Sequence, residues 1–376
     1  MRPAELPLPE PDALAASRRL LQRIGAELAA AGNWIPFARY MELALYAPGL
    51  GYYAAGAHKL GRGGDFVTAP ELTPLFGRAL ARQLRELLQP GEAVLEFGAG
   101  SGALAEALIP ELPGVTYQIL ETSPDLRQRQ QARLGDRARW LEALPQRFRG
   151  VMIANEVLDA MPVHALAWTG AGVLERGVCA NEGELAWAER AAAGAVLEAA
   201  RRIEIELPAS GRYESELGLA ARAWMRAAGA ALERGALLAI DYGFPAREFF
   251  HPQRSMGTLA CHYRHRAHGD PFWLPGLQDI TAHVDFSALA DAAAEAGLEV
   301  LGFAGQARFL VNCGITELLA AENPGDAARY LPAAGAVQKL LSPAEMGELF
   351  KVLAVGRGGE KLPLLGFGSG DRQHAL

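Results

Sequence analysis

The chain has 376 residues, half of them hydrophobic and 21% charged, enough to bury a large core in one big domain or two ordinary ones. A formal net charge of −7 offers no basic field for steering toward nucleic acid, and three cysteines (Cys179, Cys261, Cys313), widely spaced and without a CxxC pair, argue against a disulfide scaffold or a thiolate zinc site. Glu5, Glu10, Asp12 and several prolines stand where a signal peptide would need an apolar run, and no uninterrupted apolar stretch approaches membrane-spanning length, so a cytoplasmic location without membrane insertion is expected.

In chain order, Asp12 is placed to cap a helix carrying Leu20, Leu21, Ile24 and Leu28, which Gly32-Asn33 should end. Residues 33–75 change texture: "YMELALYAPGLGYYAAG" and "GRGGDFVTAPELTPLFG" mix aromatics, glycines and prolines too densely for a plain packing helix. From Ala93 the pattern is "AVLEF", a glycine loop, "ALAEALI", then "VTYQILE" at Val115 to Glu121, a right-handed parallel crossover. "GVMIAN" (Gly150 to Asn155) and "ALLAIDYG" (Ala236 to Gly243) read as further buried strands ending in polar residues. Between them "HALAW", "GVLERGVC" and "GELAWAE" suggest a small antiparallel insertion. Late in the chain, "DFSALADAAAEAGLEVLGF" predicts an Asp285-capped helix, a stop at Gly297 and a strand. "SPAEMGELF" offers a capping box, Ser342 with Glu345 and Pro343 at the first position, and so a helix before "KVLAV". The organisation expected is therefore an N-terminal helical cap over residues 1–85, a first core half over 86–162 with the glycine loop, an insertion over 163–233, and a second core half over 234–376 with a lid at 261–286.

"VLEFGAGSGALAEALIP", Val94 to Pro110, raises the question of a ligand. Glycines at 98, 100 and 102 let the backbone turn sharply and a ligand approach it closely, although Gly98, Gly100 and Ala103 would also pass as the GxGxxA of a dinucleotide loop. Three additions carry the reading further. Glu96 ends the strand where a carboxylate can meet a cationic group. Glu121 ends the next strand, 23 residues after Gly98, where a ribose would offer its hydroxyls. Asn155-Glu156 ends the third, at the crevice where parallel sheets bind ligands. The plainer alternative makes these acids solvated strand ends.

Through "LEFGAGSG", "LETS" and that Asn, the sequence resembles the class I S-adenosylmethionine-dependent methyltransferases. Through "YMELALYAPGLGYY", "GDFVTAPE", "ANEVLDAMPVH", "IDYG" and "GLQDITAHVDF" it resembles more closely the MidA family, over roughly residues 20 to 356. The resemblance implies an α/β fold, a Rossmann-like seven-stranded methyltransferase sheet with a helical N-terminal extension and an antiparallel insertion. It implies S-adenosyl-L-methionine as cofactor and S-adenosyl-L-homocysteine as product, held by Gly98, Gly100, Gly102 and Glu121, with Glu96, Asn155, Thr68 and Pro70 completing the expected cofactor set. The mitochondrial members are protein-arginine methyltransferases that act as respiratory complex I assembly factors. An arginine on a partner protein, with a respiratory-complex subunit as the suggested partner, is thus the preferred acceptor. The alternatives are a small-molecule methyltransferase of the same fold, a cofactor-binding but non-catalytic assembly factor, and a nicotinamide dehydrogenase should Glu121 be a false match.

The chemistry agrees with that reading. A sulfonium donor carries its own leaving group, so alignment and exclusion of water suffice and no metal is needed. An arginine acceptor is protonated and needs acids to orient its fork and take a proton. Glu156 and Asp159 would share one face of a helical turn, unless they merely cap or solvate it; Asp65 and Glu71 are further candidates. His262, His265 and His268 recur every third residue, but Arg264 and Arg266 between them would oppose a cation. Phe272, Trp273 and the Asp-Pro and Pro-Gly pairs suggest a shaped lid, in which His283 could orient or deprotonate the acceptor or simply lie buried. Tyr46, Tyr52 and Tyr53 are either core or binding wall. The candidate catalytic set is Glu156, Asp159, His283 and Asp65.

Overall fold

The computed structural model describes residues 6–54, 67–358 and 364–376. Its central sheet is built from β1 (Ala93–Phe97), β2 (Thr116–Leu120), β3 (Arg139–Leu141), β4 (Phe148–Asn155), β5 (Leu232–Phe244), β6 (Glu299–Gly305) and β7 (Phe350–Arg357). Their order is β6-β7-β5-β4-β1-β2-β3. β3, β2, β1, β4 and β5 run parallel to one another, and β7 is antiparallel to both β5 and β6. Val284–Asp285 adds a short parallel pairing at the end of β5. This is the Rossmann-like class I sheet anticipated from the sequence.

Successive residues of a strand point to opposite faces, so a strand buried on both faces must be apolar without interruption. Val94, Val151, Ile153, Leu238, Ile240 and Val352 pack on one face, with Leu75, Leu80 and Leu84 of the helix Pro74–Leu87 and Phe309 of the helix Gln306–Asn312. Leu95, Met152, Ala154, Leu237, Ala239 and Leu353 fill the other, with Met225 and Ala228 of the helix Leu219–Ala231 and Leu289 and Ala293 of the helix Phe286–Glu295. Asp285 caps that last helix through Ala288 N, as its sequence promised.

A third cluster roofs the carboxyl ends of the strands. It joins Leu20, Ile24 and Leu28 of the helix Pro11–Ala30, Tyr40 and Met41 of the helix Phe37–Tyr46, Ala165 and Val178 of an antiparallel insertion, and Cys261 and Ile280 of a small three-stranded sheet. In the insertion, His164–Thr169 pairs with Gly172–Asn181 and with Arg212–Leu217, and Gly172–Asn181 pairs with Glu184–Ala191. Aromatic side chains tie residues 33–54 to residues 260–281. Tyr40 Oη donates to Pro271 O at 2.5 Å, the Phe272 ring packs edge-on to Tyr40 at 5.2 Å, and Tyr53 Oη donates to Asp279 Oδ1 at 3.0 Å. Tyr52, 1% exposed, is core.

Two local expectations are corrected. The first helix begins at Pro11 with Glu10 at the cap position, so Asp12 lies in its first turn, where it complements the helix dipole instead of capping. Residues 343–349 form turns where the helix was expected, and among the described residues the Ser342 side chain caps nothing. Ser342 instead ends the helix Ala327–Leu341, and the chain folds straight back, Gly347 N donating to Ser342 O at 2.8 Å. A side chain at Gly347 would collide with the Leu341 carbonyl, so this glycine sets a tight return where the capping-box pattern asked for a helix.

Gly150 on β4 has φ 132° and Gly235 on β5 has φ 113°. A Cβ at Gly150 would meet Ala93 O of β1, and one at Gly235 would meet Gly150 O. Gly150→Ala should therefore destabilise the protein by about 3 kcal/mol, combining backbone strain with overpacking against main chain that cannot yield. Urea denaturation measures it, with Gly170→Ala, which meets nothing within 4 Å, expected near neutral as the control.

Candidate active site

β1 delivers Glu96 to the cleft floor and runs into a loop whose glycines take left-handed φ values of 58° (Gly98), 55° (Gly100) and 81° (Gly102). The loop is pinned: Gly98 N donates to Leu120 O at 3.0 Å, Gly102 N to Ala99 O at 2.8 Å, and Gln130 Nε2 to Gly100 O at 2.9 Å. It borders a cleft at the carboxyl ends of β1, β2 and β4. Glu96, Gly98, Gly100, Glu121, Asn155, Thr68 and Pro70 all line this cleft, joined by Tyr46 and Tyr53. Gly102 does not. It turns the chain into the helix Ala103–Leu108, and its open side faces Leu134, Arg133 and Gln130.

The acids are not solvated strand ends. Glu96 is 3% exposed and accepts from Tyr117 Oη at 2.8 Å; burial pushes its carboxyl up to about 8 against the lowering effect of that hydrogen bond. Glu121 Oε1 accepts from Ser123 N and Oε2 from Gln130 Nε2, both at 2.9 Å, and Trp140 Nε1 fixes Gln130 by donating to its Oε1 at 3.0 Å. Burial still raises the Glu121 pKa. Asn155 Oδ1 is buried and has no hydrogen-bond partner among the described residues. An orphaned buried acceptor is costly unless a ligand supplies the donor. The cleft thus presents acceptors (Glu96, Glu121, Asn155 Oδ1) to a ligand rich in donors and positive charge. An amine, a ribose diol and a sulfonium fit that set.

A second cavity, with about 1100 Å³ of empty space, adjoins the first and shares two wall residues with it, Tyr53 and Glu156. Asp159, Tyr242, Asp279, His283, His262, Lys339 and Glu345 also line it. Glu156 and Asp159 come together here, but not on a helical turn: the segment is a loop, with Glu156 at φ 55°. Glu156 Oε1 accepts from Ala69 N at 3.0 Å and from Asn155 Nδ2 at 3.2 Å, tying the Thr68–Pro70 wall of the cleft to the β4 end. Burial, with the Asp159 charge adding to it, pushes Glu156 up to about 8 despite the Ala69 hydrogen bond. Burial raises Asp159 to about 6, opposed chiefly by the Tyr242 hydroxyl bonded to it.

His283 Nδ1 is buried without a partner, and burial together with the charges of Arg254 and Lys351 lowers its pKa to about 4. It is therefore neutral near pH 7 and able to accept a hydrogen bond. Asp65 lies outside the described residues. Glu71 lines neither cavity and faces a separate groove with Glu106 and Arg133. His262 reaches the second cavity, His265 sits in a tight turn at φ 60°, and His268 is buried. Among the described residues, no group of three or more His, Cys, Asp or Glu is gathered as metal ligands. Sequence reasoning missed Lys339, Glu345 and Asp279 on the wall, and Asp241 beneath it. The signals for Asp241 were its place in "IDYG", one of the segments that carry the resemblance, and an acid closing the otherwise apolar run "LLAI".

Residues 75–304 match the family described as "Putative S-adenosyl-L-methionine-dependent methyltransferase". The chain is 28% identical to the Danio rerio protein named Protein arginine methyltransferase NDUFAF7, mitochondrial, over 90% of this chain and 87% of the other. It is 28% identical to the homologue of that name in Drosophila melanogaster, over 97% and 92%. A protein of Burkholderia thailandensis, solved bound to S-adenosyl-homocysteine, superposes with TM-score 0.95 at 53% identity, over 99% of this chain and 100% of that one.

If Glu121 meets the ribose, Glu121→Ala should weaken S-adenosylhomocysteine by about 1.5–3 kcal/mol, roughly ten- to a hundredfold. Gly100→Val, a branched side chain forced to φ 55°, should be worse, and NAD should not bind the wild-type protein at all. Titration calorimetry reads all three. Unchanged affinity in Glu121→Ala would remove that carboxylate from the site.

Proposed function

The chain belongs to this S-adenosyl-L-methionine-dependent methyltransferase family and takes S-adenosyl-L-methionine as its cofactor, and from that premise we propose that it methylates an arginine of a partner protein. The observation that carries the reading is the junction of the two cavities at Glu156 and Tyr53. The glycine-lined cleft suits the donor. The cavity beyond it gathers Glu156, Asp159, Asp279 and Glu345, a carboxyl-rich wall suited to a cation. The names borne by the Danio and Drosophila relatives support the same acceptor.

The bound cofactor supplies a methyl group already activated on a sulfonium. The chain's own residues orient the acceptor, keep water out and receive a proton. Glu156 Oε1 is committed to Ala69 N and Asn155, while Oε2 takes neither bond and is the atom we assign to the guanidinium. A carboxyl poised near 8 is uncharged in part at neutral pH; an arriving guanidinium favours its ionised form and forms a charge-assisted pair with it. As the nitrogen–carbon bond forms and the carbon–sulfur bond breaks, the nitrogen's proton passes to the Glu156 carboxylate, a group whose pKa matches the operating pH. Asp159, held by Tyr242, orients the fork from the next position, and neutral His283 accepts from its far side. No described helix is long and apolar enough to cross a membrane. A cytoplasmic location and a respiratory-complex subunit as partner remain parts of this proposal.

Glu156→Gln keeps the shape and loses the charge and base, so methyl transfer should fall by about 10²-fold or more, with S-adenosylhomocysteine affinity nearly unchanged. Asp159→Asn should act in the same direction but less. The assay is transfer of labelled methyl to extract protein from cells lacking this chain, followed by peptide mapping. Label on a small metabolite would favour the small-molecule reading, and tight cofactor binding without transfer the non-catalytic one. A pH experiment follows from the same carboxyl. Its pKa is about 8 folded against 4.5 unfolded, so between those values the folded state holds a proton that the unfolded state has lost. Stability must then fall as pH rises through that window. Compared with Glu156→Gln, the ligand-free wild-type protein should lose melting temperature between about pH 4.5 and 8, and a parallel pair of profiles would contradict the assignment.

A further inference from the structure

Asp241 lies on β5, one residue beyond Ile240, which pairs with Asn155 at the end of β4. Its side chain is fully buried at 0% exposure and lines neither cavity. One oxygen, Oδ2, accepts from three consecutive backbone N–H groups: Val157 at 3.1 Å, Leu158 at 2.9 Å and Asp159 at 3.3 Å. The other, Oδ1, accepts from Tyr242 N at 2.9 Å. Next to it, Ile240 O accepts from Glu156 N at 2.9 Å. Two adjacent residues of β5 therefore hold every main-chain N–H from Glu156 to Asp159.

That grip has a specific object. Glu156 stands at φ 55°, a left-handed conformation that costs a residue with a Cβ roughly 1–2 kcal/mol and persists only when its surroundings impose it. Burial, the Asp159 charge and the Glu156 charge all raise the Asp241 pKa, so an acid here is an expensive choice for mere packing. A carboxylate can aim acceptors at the loop and at Tyr242 N at once. An asparagine must turn its NH2 toward one of those donors. We propose that Asp241 is the positioning residue of the methyl-transfer site: it fixes the 156–159 loop so that the Glu156 carboxyl stands between the cofactor cleft and the acceptor cavity. The proposal rests on the reading of Glu156 given above.

The test uses the full chain and has two arms, hydrogen exchange with S-adenosylhomocysteine bound and single-turnover transfer with S-adenosyl-L-methionine bound. In hydrogen exchange, Asp241→Asn should speed the amides of Val157, Leu158 and Asp159 by about tenfold or more, with β4 and β7 still protected. In single-turnover transfer to extract protein, Asp241→Asn should be about 10²-fold slow, yet in a Glu156→Gln background it should cost less than about threefold more, because both changes remove one function. Affinity for S-adenosylhomocysteine should stay within about threefold. Unchanged exchange at the three amides, exchange raised throughout the sheet, or losses that multiply in full would each overturn the proposal. Full activity of Glu156→Gln alone would fail the reading of Glu156, and the exchange arm would still judge Asp241. Should Asp241→Asn not fold, Asp241→Glu, which keeps the charge but displaces it by one methylene, is expected to give the same exchange pattern.

Discussion

The site depends on one physical constraint, the cost of keeping carboxyl groups out of water where parallel strands end. Glu96, Glu121, Glu156, Asp159 and Asp241 all occupy strand ends or the loop just beyond, and burial is the largest influence on each, raising every pKa. A fold gains nothing from such an arrangement unless something compensates. Partial compensation is built in: the Tyr117 hydroxyl for Glu96, Ser123 N and Gln130 for Glu121, Ala69 N for Glu156, and three loop amides for Asp241. What is left over is a demand for positive charge and hydrogen-bond donors, which a sulfonium cofactor with its amine and ribose, and then a cationic acceptor, are suited to meet.

The rest of the architecture serves that dry edge. The strands are mostly apolar on both faces, and the acids of the site gather near their carboxyl ends. Above that edge lies the aromatic roof, in which Tyr46 and Tyr53 stack at 5.6 Å and satisfy their own hydroxyls on Ala160 O and Asp279. Tyr53 also accepts, through its carbonyl, a 2.6 Å hydrogen bond from Ser123 Oγ, whose backbone N–H serves Glu121. The roof and the cofactor cleft are therefore one hydrogen-bonded structure.

What could be read from the sequence was what is local. Three alternating glycines, acids at strand ends and a switch from period two to helical spacing all fall within short windows, and they led to the sheet and to the cleft residues from Glu96 to Asn155. Asp241 escaped because its partners lie 82–84 residues earlier in the chain, and nothing near "AIDYG" announces them. The helix expected after Ser342 failed for the opposite reason: the capping pattern was present locally, but Gly347 and the end of the preceding helix required a turn.

Glu156 physically couples the two cavities, for it lines both. Its Oε1 holds Ala69 N, in the segment whose Thr68 and Pro70 line the glycine-bordered cleft. A hydrogen bond to a carboxylate is roughly twice as strong as one to a neutral oxygen. A cation that ionised Glu156 from the second cavity would therefore also tighten its hold on the wall of the first. A glutamine keeps the weaker, neutral form of that bond, which is why it separates the chemistry of the group from its place in the fold. An alanine would remove both, and the two roles could no longer be told apart.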